Sequence, residues 1–241
     1  MQPQNENVYG IIPENVPPKF FAKHFKPYEL ARKDAAGKMV LEIGFGDGYG
    51  AAYLAAAAKK VIGVDPTIAN IDHARKKYQF SNLEFQVGDA TALKFDNECF
   101  DMVCSFQVIE HIPEDKLLPY LSEIKRVLKN TGKFYVSTLN LAYAMKSPLT
   151  YQKNLDHCKE FTLDELRDLL VQVFLDVQIY GLQLTLKHRF YQRLKRIGIF
   201  NFLPKAINPV VIFYNRITIK DFKVVPFNLE KAIDFICICG K

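Results

Sequence analysis

Short apolar runs recur along this chain at intervals that suit buried strands. KMVLEI (38–43), KVIGVD (60–65), LEFQVGD (83–89), FDMVCSF (100–106) and KFYVSTL (133–139) are brief, β-branched or aromatic, and closed by turn residues, which predicts five strands. Between them the apolar spacing becomes helical, in the alanine-rich YGAAYLAAAA (49–58), in TIANIDHARKKY (67–78) and in EDKLLPYLSEIKRVLK (114–129). Strands alternating with helices of this length need crossover connections. The strands are therefore expected to run parallel, with both faces of the sheet covered. The pattern predicts an α/β fold, a doubly wound and mostly parallel sheet.

The flanks differ. Residues 1–20 carry four prolines and little periodicity, and read as an arm or lid. FFAKHFKPYELARKDAAGK (20–38) is amphipathic and helix-like, with Pro27 interrupting it. Further on, Thr162 to Glu165 has the capping-box pattern ahead of LRDLLVQV, which predicts a helix start. FLDVQIYG (174–181) and AIDFICICGK (232–241) predict two more strands, able to pair with each other as an antiparallel edge. The expected division is an arm with helical cap over 1–37 and an α/β domain over 38–241, with an insert at 182–230 before the last strand.

Composition changes this picture little. Hydrophobic residues make up 49% and charged ones 24% of 241 residues, which excludes disordered, collagenous and coiled-coil chains. No apolar run approaches the roughly 18–20 residues of a spanning helix. The start MQPQNENVYG lacks the basic and apolar regions of a secretory signal, so a cytoplasmic location is expected. The five cysteines show no metal or redox spacing and read as reduced, buried thiols.

Charge matters more. The net charge is +6, and no acidic residue falls between Gly181 and Lys220, where Lys187, Arg189, Arg193, Lys195, Arg196, Lys205, Arg216 and Lys220 cluster. Three readings stand: a solvated face, an attraction for anionic or sugar-linked acceptors, or contact with a membrane surface through LKRIGIFNFLP. No nucleic-acid-binding module accompanies the block, which speaks against nucleic acid.

The candidate chemistry begins at GFGDGYG (44–50), directly after the first strand. Glycines there permit positive φ and let a ligand lie against the backbone at the carboxyl end of a parallel strand. The second strand ends in Asp65, placed to accept hydrogen bonds from a ribose. That much fits a nicotinamide dinucleotide and S-adenosylmethionine alike. The glycine spacing is GxGxGxG rather than the GxGxxG that cradles a pyrophosphate, and a second carboxylate, Asp89, ends the third strand. An acidic lining of Glu42, Asp47, Asp65 and Asp89 suits a cationic sulfonium better than a polyanion.

VLEIGFGDGYG, VIGVDPTIANIDHARKKY, LEFQVGDATALKFDNECFDMVCSFQVIEHI and LSEIKRVLKNTGKFYVSTLN resemble the successive motifs of class I S-adenosylmethionine-dependent methyltransferases. HFKPYELA and DHCKEFTLDEL are similar to methyltransferases of bacterial surface-glycan and lipopolysaccharide biosynthesis. The resemblance implies a Rossmann-like sheet of seven strands, the last antiparallel, with helices on both faces. It also implies that Glu42, Gly44, Gly46 and Gly48 lie along the methionine part of the cofactor. Asp65 and Pro66 would meet the ribose, Asp89 and Ala90 the adenine, and Phe106 and Gln107 would form the wall after strand four. Ile68 and Leu93 would sandwich the adenine or belong to the core. Two departures stand out: Phe45 replaces a frequent cysteine, and Gln107 stands where glutamate is common.

For the chemistry, His111 is the candidate general base, since it follows strand four and has an ordinary pKa near 6.5. Glu110 would orient it, or join it in a metal site as in some relatives; no metal ligand set is assigned. His157 and Asn140 are candidate acceptor contacts. Tyr9, His24 and Tyr28 would cap the cofactor, and His73 and His188 read as surface residues. The function expected is methyl transfer from S-adenosyl-L-methionine to oxygen or nitrogen of a small or glycan-related acceptor, releasing S-adenosyl-L-homocysteine. The alternative is a non-catalytic module that binds adenosyl ligands. A nicotinamide oxidoreductase is disfavoured by the glycine spacing.

Overall fold

The computed structural model describes residues 10–145 and 151–241. After helix α1 (Pro18–Arg32) the chain alternates: β1 (Met39–Ile43), α2 (Tyr49–Ala55), β2 (Lys60–Asp65), α3 (Ile68–Lys77), β3 (Leu83–Val87), β4 (Phe100–Phe106), α4 (Leu117–Val127) and β5 (Leu128–Leu139). Then come α5 (Leu141–Ala144), α6 (Leu163–Val171), β6 (Asp176–Leu184), α7 (Leu186–Ile197), α8 (Pro209–Asn215), β7 (Phe222–Val225) and β8 (Asp234–Gly240).

The strands form one sheet in the order β3-β2-β1-β4-β5-β8-β6-β7. The first five run parallel, and β8, β6 and β7 continue antiparallel. The late pair predicted from the sequence is present, with Ile179 opposite Cys237. The sheet has eight strands rather than the expected seven. The extra one is β7, which emerges from the basic insert and pairs Phe222 through Val225 with Leu184 through Gly181. Its four residues, FKVV, are too short to announce a strand amid charged neighbours.

Helices cover both faces. On one side α4 buries Tyr120, Leu121, Ile124 and Val127 against Phe134 and Phe174, the spacing of a single helical stripe. On the other, Tyr28 and Ala31 of α1 pack with Leu54, Ile71 and Phe85. Pro27 does not interrupt α1; the fifteen-residue helix runs through it, with Pro27 itself buried. α7 turns His188 inward, fully buried against Phe213 and Phe222, so that residue is core rather than surface. Among the described residues no helix is long and apolar enough to cross a membrane.

The chain winds outward in opposite directions from β1 and β4, which are neighbours. A crevice therefore opens between their carboxyl ends, where ligands bind in open α/β sheets.

Candidate active site

The loop leaving β1 is bent by left-handed glycines: Gly44, Gly46 and Gly48 have φ of 69°, 57° and 95°. Gly44 is required on two counts, because a Cβ there would also stand 2.5 Å from Cγ2 of Val108. The loop after β1 thus lies directly against the loop after β4. Gln107, at the start of the latter, holds a positive φ of 58° without being glycine, a strained backbone of the sort functional sites retain. Its amide N donates to the Ser137 carbonyl at 2.9 Å, which fixes the bend.

Asp65, at the end of β2, is buried and accepts three hydrogen bonds: Gly46 N at 3.1 Å on Oδ2, Thr67 N at 2.9 Å and Asn70 Nδ2 at 3.1 Å on Oδ1. A carboxylate offers about four lone-pair positions, so one position on Oδ2 is left. This side chain both pins the glycine turn and keeps one acceptor for a ligand.

Around these groups lies a cavity of about 680 Å3, within the roughly 300–1,000 Å3 of small-molecule sites. Its wall includes Gly44, Gly46, Asp65, Pro66, Phe106 and Gln107 from the sequence-predicted cofactor set, and His111 and His157 from the predicted acceptor set. His24 and Tyr28 close it from α1, as expected of the cap. Gly10 and Ile11 of the arm also border it, Gly10 packing over Gly46; Tyr9 lies outside the described residues.

Other predicted residues are not brought to the wall. Gly48 caps α2 and is crowded by Ala74, Phe85 and Tyr78, so its role is packing. Asp89 is exposed, and its Oδ1 is taken by the Thr91 amide and hydroxyl at 2.7 and 2.8 Å. Ala90 beside it, and Ile68 and Leu93, likewise lie off the cavity, Ile68 exposed and Leu93 in the core. Asn140 is a structural tie rather than an acceptor contact: it caps α5 through Tyr143 N and donates to the Ala232 carbonyl at 2.9 Å. Glu42 sits buried beneath the glycine turn, accepting the Tyr28 hydroxyl at 2.5 Å.

The acidic lining therefore dissolves on inspection of each carboxyl. Burial pushes Glu42 up to about 8, against the Tyr28 hydrogen bond and with help from the Asp65 charge, so it is neutral near pH 7. Asp47 is enclosed by His73 at 2.7 Å, Lys77 at 2.9 Å and Tyr78 at 2.6 Å, which neutralise it locally. His73 is accordingly half-buried and paired rather than a free surface residue. Glu42 and Asp89 lie off the cavity, and Asp47 borders it with its carboxyl fully buried among those partners, which leaves Asp65 as the carboxylate not already neutralised at the wall.

At the far end the turn Ile109–His111 follows β4. Glu110 is 1% exposed, and burial raises it to about 8 against the opposing pull of the Thr138 hydroxyl that faces its carboxyl. The segment 154–160 is stapled to this turn, Cys158 N and Lys159 N both donating to the Glu110 carbonyl at 2.7 and 3.1 Å. That brings the ring of His157 to 4.9 Å from the ring of His111, edge to face. Nδ1 of His111 lies 3.0 Å from the Asp156 carbonyl, and Nδ1 of His157 lies 2.7 Å from Glu160 Oε1. Burial lowers the His111 pKa, so the ring is neutral with Nε2 free to accept. The sequence reading missed Asn70, Asp156 and Glu160 as partners of these groups; only the short HxxE spacing of His157 and Glu160 signalled one of them.

Residues 41–136 match the family described as a methyltransferase domain. A Mycolicibacterium smegmatis protein named "Probable S-adenosylmethionine-dependent methyltransferase" is 34% identical over 172 residues, covering 70% of this chain and 63% of that one. A "Fatty-acid O-methyltransferase" of the same species is 36% identical over 106 residues, or 43% of this chain and 38% of that one. The chain spans at most about two-thirds of the length of these relatives. Among solved structures, the complex of the Haloferax volcanii Trm112 methyltransferase activator with a methyltransferase superposes with a TM-score of 0.64 at 19% identity, covering 92% of this chain and 91% of that one. This likeness establishes the fold.

Proposed function

Because the chain carries a class I S-adenosylmethionine-dependent methyltransferase domain, we propose that it methylates an oxygen or nitrogen of a small, lipid-linked or glycan-related acceptor. The observation that carries this reading is the continuity of the cavity, from the Gly44–Gly46 turn and Asp65 to His111 and His157. A cofactor that must lie along backbone fits the Gly44–Gly46 turn, whose left-handed bend favours glycine and where a Cβ on Gly44 would strike Val108. When bound, S-adenosyl-L-methionine supplies the electrophilic methyl carbon and a neutral thioether leaving group, giving S-adenosyl-L-homocysteine.

The protein's own part is alignment and exclusion of water. Gly44 and Gly46 would pass along the methionine portion, Oδ2 of Asp65 would accept one ribose hydroxyl, and Pro66 would border the sugar. Phe106, held edge-on by Tyr28 at 4.7 Å, and Gln107 would wall the reacting centre. Nε2 of His111, a lining residue of the cavity, would face the acceptor and receive its proton. His24 and Tyr28, from α1, would keep the cavity dry.

Titration calorimetry with S-adenosylmethionine and S-adenosylhomocysteine tests the cofactor reading, with NAD as the control expected not to bind. Product formation across an acceptor panel then separates an enzyme from a module that only binds adenosyl ligands. Tight binding with no transfer to any acceptor would favour the latter.

The insert supports a lipid-linked acceptor. α7 and its continuation expose Leu186, Phe190, Ile197, Ile199 and Phe202 among Arg193, Lys195 and Arg196. Bulky apolar groups interleaved with cations suit an anionic bilayer surface.

A further inference from the structure

One face of α1 forms a side of the cavity: Phe20, Lys23, His24 and Tyr28 follow one another at helical spacing, and all four line it. His24 is the group there whose polar atoms are unused. It is 9% exposed, and neither Nδ1 nor Nε2 has a hydrogen-bond partner among the described residues. Burial and the neighbouring Lys23 charge push its pKa well below 6.5, so the ring is neutral, with one N–H to donate and one lone pair to accept. Native proteins rarely leave such a pair of buried polar atoms without a use. Phe20 packs on the imidazole with ring centroids 4.3 Å apart, which restricts how the ring can move.

The neighbours narrow the kind of partner that fits. Lys23 has its Nζ 3.2 Å from each carboxylate oxygen of Asp234, a buried residue at the start of β8. Asp234 lies opposite Leu139 of β5, itself a cavity residue, so this ion pair stands at the cavity's edge with its charges cancelled. An anion would gain little from an ammonium already committed, and a cation would be repelled by it. An apolar group would leave the imidazole unpaired. An uncharged hydroxyl, which both donates and accepts, suits either tautomer of the ring.

We propose that His24 hydrogen-bonds an uncharged hydroxyl of the acceptor, and so selects alcohols and polyols over free acids and amines. This rests on the methyltransferase reading and adds to it the substrate class. The discrimination comes from α1, because a site built to hydrogen-bond a hydroxyl rejects analogues that leave its buried polar atoms unpaired. Lys23 and Phe20 act through the ring, the one keeping it neutral and the other fixing its position.

The test uses probes that differ only in head group: hexanol, sodium hexanoate and hexylammonium chloride. Each is titrated into the full chain saturated with S-adenosylhomocysteine and carrying isotope-labelled histidine, and followed by NMR. Hexanol is expected to bind tightest and to shift the ring nitrogens of His24. His24→Leu, of similar bulk without polar atoms, should weaken hexanol binding about 10-fold. His24→Gln, whose amide donates and accepts, should restore it to within threefold, with S-adenosylhomocysteine affinity changed less than threefold in both variants. The ligand-free proteins give a second readout. His24→Leu should raise the thermal midpoint by about 2–4 °C, since the unpaired nitrogens are gone. A histidine serving the fold alone would lower the midpoint in both variants, and that result overturns the proposal. So does failure of hexanol to bind, tighter binding of hexanoate, or hexanol binding unchanged in His24→Leu. A loss of S-adenosylhomocysteine affinity confined to the variants would make His24 a cofactor contact and overturn it as well. Absence of S-adenosylhomocysteine binding by the wild type would instead remove the underlying reading.

Discussion

The Tyr28 hydroxyl donates a 2.5 Å hydrogen bond to Oε1 of Glu42, joining the amino-terminal helix to the strand that leads into the glycine turn. Both groups are buried. The carboxyl is held protonated, at about 8 instead of its ordinary 4.5. Between those values the native protein keeps a proton that the unfolded chain releases. Stability therefore falls as pH rises through this window, by about 1.4 kcal/mol per unit, and levels off above it. Glu42→Gln removes this dependence while its amide oxygen still accepts from Tyr28. Thermal unfolding from pH 5 to 9 should show the variant gaining on the wild type toward pH 8, the two converging at the acid end. Parallel curves would mean that Glu42 is ionised throughout.

The same tyrosine explains a glycine outside the ligand turn. A Cβ on Gly50 would stand 2.1 Å from the Tyr28 ring. Gly50→Ala must displace Tyr28 and should destabilise by about 1–3 kcal/mol. Gly37 has nothing within 4 Å but a φ of 70°, so Gly37→Ala should lose only about 1 kcal/mol, from backbone strain. Urea unfolding of the pair distinguishes crowding from conformation; equal losses would count against the Tyr28 contact.

Asp65→Ala removes the acceptor for a ribose hydroxyl and the hydrogen bond that holds Gly46. Charged hydrogen bonds contribute about 1.5–3 kcal/mol, so S-adenosylmethionine affinity should fall roughly 10- to 150-fold by calorimetry. Affinity within threefold of the wild type would show that Asp65 serves the turn alone.

The α/β frame was legible because parallel strands buried on both faces write continuous apolar runs, as in KVIGVD and FDMVCSF. β7 was not, since four residues carry no period. Gly44, Asp65 and Phe106 could be placed from their positions at strand ends, where the topology fixes the crevice. Asp89 and Asn140 sit at similar ends, yet their side chains are used by Thr91 and by the Ala232 carbonyl. Sequence position says where a backbone goes; which partner claims a short polar side chain is settled by tertiary contacts. His188 failed differently, because a basic neighbourhood hid a helical face that packs inward on Phe213. The meeting of His111 with His157 depends on long-range bonds from Cys158 and Lys159 to the Glu110 carbonyl, which no local pattern encodes.

The basic insert gives the last expectation. α7 buries His188 and sets Tyr191 flat against Phe213, so its inner face is committed to the protein. Its outer face exposes Leu186, Phe190 and Ile197 beside Arg193 and Arg196, and Lys195, whose Nζ lies 5.0 Å over the Tyr214 ring, is exposed at the edge of that face. Each cation near an anionic bilayer contributes about 1 kcal/mol, so changing these three to Gln should weaken binding to phosphatidylserine-containing vesicles roughly 100-fold. Phe190→Ser with Ile197→Ser should weaken it further through lost apolar burial, while neither set touches the cavity. In sedimentation the wild type should follow anionic vesicles at low salt, leave them at about 0.5 M NaCl as charges are screened, and ignore neutral phosphatidylcholine. Equal sedimentation of wild type and triple variant would assign the block to a solvated face. The lipid-linked acceptor would then rest on the cavity alone.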